Sequence, residues 1–338
     1  MVMDSEILLK NTSRSLYLSI RALPRNIRPA FSIAYLLCRY ADTIADTHLL
    51  PAQNRLHWIE KFPQIVAEQN PQKVDILTRE ISVKSENIYE EELIKNLPVC
   101  LQQFNTIAPD LQSIILEVVQ AVCEGMKIDL SYFPTQPGAP VKAFTKTTDL
   151  THYCRLMGGK PGLFWTKLIQ KSTLIPVVPD LFLDWGQKIG DALQIVNILR
   201  DLPKDLQLGR CYFPLEDLKQ FGLTPQDLLN TQNSARFEPI KQKWISWGLE
   251  RLAYAKMYFP LIPKSQIGQR AAVAWPVLWT ADTLHKVSQS TDLLDVYKRV
   301  KISRATVYFT VLCTPLLFLS NTMFSLWLTK KIKRCLKK

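Results

Sequence analysis

The sequence predicts an all-helical protein, and three observations support this fold class. Only 11 of the 338 residues are glycine, and no Asn-Gly or Asp-Gly pair, the usual signal of a tight β-hairpin, occurs. Apolar residues recur with helical spacing in one segment after another, and prolines separate these segments. Hydrophobic residues make up 47% of the chain, which is enough for a packed core and argues against a disordered protein.

The helical segments follow one another along the chain. Pro24 stops the first, and Pro29 suits the first turn of the long helix that follows. The predicted helices cover residues 13–22, 29–47, 51–68, 88–104, 111–127, 149–154, 164–172, 184–206, 237–258 and 269–288. The predicted loops cover residues 131–140, 175–180 and 208–214. Because no Gly/Ser linker interrupts the series, residues 1–300 are predicted to form one domain.

Residues 301–338 are predicted to form a separate C-terminal segment. Within it, residues 305–329 form an uncharged run of 25 residues with basic stretches on both sides. About 20 apolar residues span a bilayer, so this run predicts a C-terminal hydrophobic helix and a membrane anchor. Pro315 and Asn321 lower its hydropathy, which leaves a buried core helix or an interfacial or re-entrant segment as alternatives.

The net charge of +12 is concentrated in the same part of the chain. Ten basic and no acidic residues occur from 298 to 338, which leaves 32 basic against 30 acidic residues in the rest, a net of +2. This distribution argues against nucleic-acid binding and favours a membrane surface. No signal-peptide pattern is visible, and the seven cysteines lack CxxC spacing. We therefore expect a membrane-anchored monomer whose residues 1–300 face the cytoplasm.

The strongest functional signal lies in the second predicted helix. Four polar residues recur there at helical spacing: Tyr35, Arg39, Asp42 and Asp46. They share one face of a helix whose other residues are nearly all apolar. A single i, i+4 aspartate pair is usually a solvated helix face. On an otherwise buried helix, however, carboxylates need a partner, so this stripe predicts a site inside the fold.

A second stripe of the same kind lies in the predicted helix 184–206. Its members fall at offsets 0, 3, 7 and 11, and they are Gln194, Asn197, Asp201 and Asp205. The rest of the helix here is filled by Ile195, Val196, Ile198 and Leu199. Positive charge nearby comes from Arg200, Lys204 and Arg210. Satisfied core amides would explain Gln194 and Asn197 equally well, but their register with Asp201 favours a shared site.

Two aspartate pairs of this kind suit Mg²⁺. The ion prefers oxygen ligands, and one or two carboxylates together with substrate phosphates usually hold it. Arginine and lysine at the rim would bind the remaining phosphate oxygens. The alternative, four carboxylates in buried ion pairs, needs more basic partners than these helices supply. The sequence therefore predicts a Mg²⁺-dependent diphosphate site made by Asp42, Asp46, Asp201 and Asp205.

At these residues the chain resembles the squalene/phytoene synthase family of head-to-head prenyl transferases. Four blocks carry the resemblance: SRSLYLSIRALP (13–24), YLLCRYADTIAD (35–46), THYCRLMGG (151–159) and QIVNILRDLPKDLQLGRCYFP (194–214). The resemblance implies the isoprenoid-synthase (terpenoid synthase) helical bundle with a central active-site cavity. It covers roughly residues 10–300.

The resemblance also implies roles for individual residues. The four aspartates, with Asn197, would hold Mg²⁺. The residues that would bind substrate diphosphate are Ser13, Arg14, Ser15, Arg39, Gln194, Asn197, Arg200 and Arg210. Tyr35, Arg39 and Tyr153 would act at the reaction centre, with Tyr153 handling a proton, although a tyrosine on an apolar helix is core at least as often. Lys301 and Arg304 would lie near an NADPH cofactor, for which no Gly-rich fingerprint is present.

The implied reaction joins two farnesyl diphosphates to presqualene diphosphate and then reduces this product to squalene with NADPH. Gly159-Lys160-Pro161-Gly162 departs from the family pattern and puts the second step in doubt. Pro203, between two of the aspartates, makes Asp205 the least secure ligand. The alternatives are an enzyme that makes presqualene diphosphate, dehydrosqualene or phytoene, and a non-catalytic membrane-anchored isoprenoid-binding subunit.

Overall fold

The computed structural model describes residues 8–10, 12, 16–46, 50–81, 88–134, 138–173, 175, 179–315 and 320–336. Helices account for most of these residues, which confirms the predicted all-α class. The chain divides into two compact units, Met1–Tyr132 with Lys167–Ser172 and Phe133–Thr166 with Thr173–Lys338.

The first unit is built around a long apolar helix that presents the first aspartate pair. Its helices are α1 (Leu16–Ala22), α2 (Arg28–Asp46), α3 (Ala52–Glu68), α4 (Pro71–Ile81), α5 (Ile88–Lys95), α6 (Leu97–Asn105) and α7 (Pro109–Tyr132). Helix α2 packs against α3, α6 and α7. Apolar residues at helical spacing bury these contacts, among them Leu37, Ile59 and Val119, which are inaccessible to solvent.

The second unit surrounds the helix that presents the other aspartate pair. Its helical elements are α8 (Thr147–Cys154), a π-helical turn (Arg155–Gly159), α9 (Lys160–Ser172, whose end belongs to the first unit), α10 (Pro179–Gln207), α11 (Leu215–Gln220), two 3₁₀ turns (Pro225–Leu229 and Thr231–Asn233), α12 (Ser234–Leu252), α13 (Ala255–Leu261), α14 (Ile267–Gln289), α15 (Arg304–Leu312) and α16 (Asn321–Leu336). Helix α10 packs on the π-helical turn, α12 and α14. Two short strands, β1 (Lys142–Ala143) and β2 (Arg210–Cys211), pair in parallel.

Glycines allow α10 and the π-helical turn to approach at backbone distance. A Cβ atom at Gly190 would lie 2.1 Å from the carbonyl oxygen of Gly158, and one at Gly158 would lie 2.3 Å from the carbonyl oxygen of Gly190. Gly162 and Gly186 repeat this contact, since a Cβ at Gly162 would meet the Gly186 carbonyl at 2.3 Å. Any side chain at these positions would force the two helices apart.

Most predicted helices are present, and the differences have local causes. The predicted helix 88–104 is divided at Asn96, whose side-chain amide donates to the Glu92 carbonyl at 2.6 Å. The predicted helix 237–258 is divided by a tight turn at Ala253 and Tyr254. Helix α10 runs through Pro203, so that Asp205 lies in its last turns. Helices α4 and α11, the π-helical turn and the β1–β2 pair were not predicted from the sequence.

The C-terminal apolar run does not form the single hydrophobic helix that was predicted. Helix α15 ends at Leu312, and α16 begins at Asn321, where the Ser320 hydroxyl accepts a hydrogen bond from the Met323 amide at 3.3 Å. Such a side-chain acceptor is typical of a helix start. In the described ranges of the chain, no helix combines the length and the apolar character needed to cross a membrane.

Helix α16 packs on α13 and α14. The Phe324 ring stacks on Phe259 with centroids 3.9 Å apart, and Lys331 pairs with Asp282. The fully buried Arg270 on α14 donates to the Asn321 amide oxygen at 2.6 Å, and its burial lowers the pKa of Arg270 to about 10. A separate anchoring role for residues 301–338 stays a prediction.

Candidate functional site

Helix α2 presents the first polar stripe on its accessible side. Tyr35, Arg39 and Asp42 are half-buried and Asp46 is exposed, whereas the neighbouring apolar residues are buried. The Arg39 guanidinium donates to the Asp42 carboxylate. The Tyr35 hydroxyl donates to the main-chain oxygen of Thr12 at 2.7 Å, which ties the segment before α1 to this helix. Ser13, Arg14 and Ser15, predicted to bind diphosphate, lie outside the described residues.

Helix α10 presents the second stripe in the same way. All four of its members are half-buried, namely Gln194, Asn197, Asp201 and Asp205, while the aliphatic residues between them are buried. The Arg200 guanidinium donates two hydrogen bonds to the Asp201 carboxylate, one of them from Nε to Oδ1 at 3.0 Å. The structure thus places each predicted aspartate pair at an accessible helix face with an arginine at hand.

A basic residue that the sequence analysis missed also reaches Asp201. Arg299 Nη2 lies 3.9 Å from Asp201 Oδ1, although the two residues are far apart in the chain. The predicted pair in the same segment, Lys301 and Arg304, is exposed, and the Lys301 carbonyl accepts a hydrogen bond from Lys286 Nζ at 2.6 Å. The run of basic residues before α15 could have indicated a contact of this kind, but the sequence does not show which of them approaches α10.

An aromatic cluster surrounds Tyr153 in the second unit. The Tyr153 and Tyr212 rings stack with centroids 4.8 Å apart, and the Tyr153 hydroxyl donates to the Tyr212 hydroxyl at 3.4 Å. Phe144 packs on both rings, and Phe133 packs on Tyr212. All four side chains are buried. Tyr212 was not predicted from the sequence, and the strand pairing of β1 with β2 brings it to Tyr153.

The strand β2 carries two further residues of the site region. Arg210, predicted to bind diphosphate, is half-buried and lies opposite Lys142 in the register. Burial raises the pKa of the neighbouring Cys211 thiol to about 12, and the negative charge of Asp205 adds to this effect. The thiol therefore stays protonated and acts as a core side chain.

A charge cluster around one buried carboxylate lies beside the π-helical turn, directly after Tyr153 in the chain. Asp191, fully buried on α10, accepts hydrogen bonds from Arg155 Nε at 3.3 Å and from Arg155 Nη2 at 3.1 Å. Arg251 Nε lies 3.9 Å from the same carboxylate. Burial raises the pKa of Asp191, and the two arginines oppose this shift. The cluster fixes the π-helical turn against α10 and supports the position of Tyr153.

The donor atoms of the two stripes fit Mg²⁺ better than a softer metal. Each stripe offers two carboxylates at i, i+4 spacing, and α10 adds the amide oxygens of Gln194 and Asn197. Among the described residues, no three His, Cys, Asp or Glu side chains come together as a ready metal site. Two carboxylates with substrate phosphate oxygens are the arrangement that Mg²⁺ typically uses.

The chain has recognisable relatives among known proteins. The family described as squalene/phytoene synthase matches residues 9–306. A bifunctional lycopene cyclase/phytoene synthase of Phaeosphaeria nodorum is 27% identical over 71% of this chain and 38% of its own length. A squalene synthase of Schizosaccharomyces pombe is 24% identical over 88% of this chain and 62% of its own length. The chain thus spans about two fifths to three fifths of these relatives.

The fold has counterparts among solved structures. The structure of TcSQS in complex with a ligand superposes with a TM-score of 0.76 at 18% identity, and the match covers 98% of this chain and 96% of that one. At this identity the likeness concerns the fold, and it supports the helical architecture predicted from the sequence.

Proposed function

The chain belongs to the squalene/phytoene synthase family, and we propose that it is a prenyl transferase that joins two farnesyl diphosphates head to head. One observation carries this proposal. Two helices, α2 and α10, are buried on most of their surface, yet each keeps an accessible stripe that ends in an Asp-x-x-x-Asp pair. Carboxylate pairs on an accessible face of an otherwise apolar helix are oxygen ligands of the kind that Mg²⁺ prefers.

In this proposal each aspartate pair holds Mg²⁺ against substrate diphosphate. Asp42, Asp46, Asp201 and Asp205, with the Asn197 amide, would hold Mg²⁺. Bound Mg²⁺ would supply Lewis-acid stabilisation of the departing diphosphate. The chain's own contribution is to present oxygen ligands on two rigid helices, so that little reorganisation is needed when substrate binds.

Basic side chains would bind the phosphate oxygens that face away from the carboxylates. Arg39, Arg200 and Arg299 already contact aspartates of the two stripes, so they are placed to exchange these contacts for phosphate. Gln194, Arg210 and the Ser13-Arg14-Ser15 stretch are proposed for the same task on the basis of the resemblance.

The aromatic cluster suits the other requirement of this chemistry, which is to keep water from an allylic cation. Phe133, Phe144 and the two stacked tyrosines form a buried apolar surface with two hydroxyl groups. We propose that the Tyr153 hydroxyl takes part in removing the proton that accompanies ring closure to presqualene diphosphate. Tyr35, on α2, is proposed to line the same reaction centre.

For the product we propose squalene, for which bound NADPH would supply the reducing hydride. NADPH rests on the family resemblance, and the exposed Lys301 and Arg304 would supply positive charge for its phosphates. Matched relatives carry the names squalene synthase and phytoene synthase alike. Presqualene diphosphate, dehydrosqualene and phytoene are therefore the competing products, and Lys160-Pro161 is the departure that bears on this choice.

A product assay tests the proposal. Purified full-length protein is incubated with farnesyl diphosphate and Mg²⁺, with and without NADPH, and products are identified by gas chromatography–mass spectrometry after dephosphorylation. Squalene that forms only with NADPH is the expected result. Presqualene diphosphate in both reactions would limit the enzyme to the first step, and turnover of geranylgeranyl diphosphate alone would indicate phytoene. The absence of turnover with either substrate would overturn the proposed activity.

We also propose that the protein works at a membrane, with residues 1–300 on the cytoplasmic side and residues 301–338 as the attachment. The ten basic residues from 298 to 338, without an acidic one, support this location.

A further inference from the structure

The helix pair α15 and α16 exposes apolar side chains on its outer surface. Leu312 is 78% exposed, Leu326 is 61% exposed and Phe309 is 59% exposed. Tyr308 and Met323 are exposed in the same helices. The Phe309 and Trp327 rings meet edge to face with centroids 6.2 Å apart, which joins the apolar surfaces of the two helices into one patch. Contiguous exposed apolar patches mark interaction sites.

The inner face of helix α16 already packs on α13 and α14, so only its outer face is accessible. Phe324, Leu328 and Cys335 are buried against the second unit, and Lys331 pairs there with Asp282. The outer face carries Met323 and Leu326, followed by Lys330 and Lys333 one and two turns later. The outer face is therefore apolar in its first half and basic in its second half.

The charge on this surface identifies the partner. Lys330, Lys333 and Arg334 are exposed, and no acidic residue occurs between 298 and 338. An apolar patch with a basic border complements a bilayer whose headgroups are anionic. A protein partner would need an acidic rim around an apolar centre, and nothing on this surface favours that arrangement over a lipid one.

We propose that α15 and α16 lie in the plane of an anionic membrane, with Phe309, Leu312 and Leu326 inserted among the lipids and Lys330 and Lys333 against the headgroups. The inference deepens the membrane attachment proposed above and is independent of the reaction. It differs from a spanning anchor, because the inner face of α16 remains packed on the second unit. Attachment is then peripheral and reversible by salt.

Vesicle flotation with the full-length protein tests this placement. Vesicles of phosphatidylcholine with phosphatidylglycerol are compared with vesicles of phosphatidylcholine alone, at low and high salt. Leu312→Ser with Leu326→Ser tests the apolar contact, and Lys330→Glu with Lys333→Glu tests the headgroup contact. Matched controls change exposed apolar and basic residues elsewhere in the second unit, Leu181→Ser with Ile267→Ser and Lys219→Glu with Lys264→Glu.

The expected result is preferential flotation with the anionic vesicles, release by high salt or alkaline carbonate, and a roughly tenfold weaker binding in each test pair. The control pairs should bind like the unchanged protein, and all variants should retain turnover of detergent-solubilised substrate. Resistance to carbonate would indicate a spanning segment and overturn the proposal. The proposal would also be overturned if the unchanged protein bound no vesicles but self-associated, and if Leu312→Ser with Leu326→Ser abolished this self-association. The patch would then join two copies of the chain.

Discussion

Arg299 Nη2 lies 3.9 Å from Asp201 Oδ1, so the segment before α15 reaches the aspartate pair of α10. Arg200 holds the same carboxylate from the neighbouring position in the helix. Asp201 is thus shared by two guanidinium groups. Both arginines would lie within reach of a diphosphate that binds beside Asp201. Arg200 is on helix α10, and Arg299 is on the loop before α15.

Replacing Arg299 by Gln should weaken substrate binding more than turnover. The change removes one positive charge next to Asp201 and leaves the helix intact, so we expect KM for farnesyl diphosphate to rise about 5- to 10-fold with a smaller change in kcat. Steady-state kinetics at saturating Mg²⁺ measure both constants. Lys298→Gln is the control, since Lys298 pairs with Asp292 instead and should leave KM unchanged.

Asp42→Asn and Asp201→Asn should each reduce Mg²⁺-dependent turnover by about 100- to 1,000-fold, because each removes a negatively charged oxygen ligand while keeping the side-chain shape. Circular dichroism should show that both variants are folded. Asp180→Asn, at an exposed position in the first turn of α10, is the matched control. Turnover that survives both site changes would refute the metal assignment.

The two aspartate stripes could be predicted from the sequence, because helical spacing alone decides which residues share a face. The approach of Arg299 to Asp201 could not, since the path of the segment after α14 has no periodic pattern. Tyr212 was missed for a related reason. Its stacking on Tyr153 depends on β1 and β2, which are only two residues long and leave no alternating signal.

The C-terminal run shows a different kind of ambiguity. An uncharged stretch has the same composition whether it enters a bilayer or packs on a protein. The packing of α16 depends on a distant partner, because Lys331 pairs with Asp282, 49 residues earlier. Such a contact between distant positions cannot be seen in the sequence of the run itself.

Tyr153→Phe should lower the rate of the first condensation by about 10- to 100-fold, because the hydroxyl that we propose for proton removal is lost while the ring stays in place. Tyr212→Phe should have a smaller effect of the same sign, since it removes only the partner of that hydroxyl. Single-turnover formation of presqualene diphosphate measures this step. Equal rates in the unchanged protein and in both variants would show that neither hydroxyl takes part in proton removal.

Gly190→Ala should destabilise the protein by about 1–3 kcal/mol, because the added Cβ would lie 2.1 Å from the Gly158 carbonyl oxygen. In a helix with free space the same change would stabilise by up to about 1 kcal/mol. The sign of the change in unfolding free energy, measured by urea denaturation, therefore reports directly on the backbone contact between α10 and the π-helical turn.

Stability should decline in alkali as buried thiols ionise. Burial raises the pKa of Cys100 and of Cys211 from 9.0 to about 12. A raised pKa means that the folded state holds the proton more tightly, so this stability is fully present below pH 9.0 and is lost as the pH rises toward about 12. Urea denaturation across this range checks the direction. Cys100→Ser with Cys211→Ser should flatten the dependence, although the variant starts from a lower stability.

The docking of α16 bears on how this protein is prepared. Truncating an attached enzyme before its apolar tail is a common route to soluble material, but here a cut at residue 300 would uncover the Phe259 ring and take Asn321 from the buried Arg270 guanidinium. Asp282 would also lose Lys331. A shortened chain would therefore trade one source of aggregation for another, and extraction of the whole chain with a mild detergent is the better preparation.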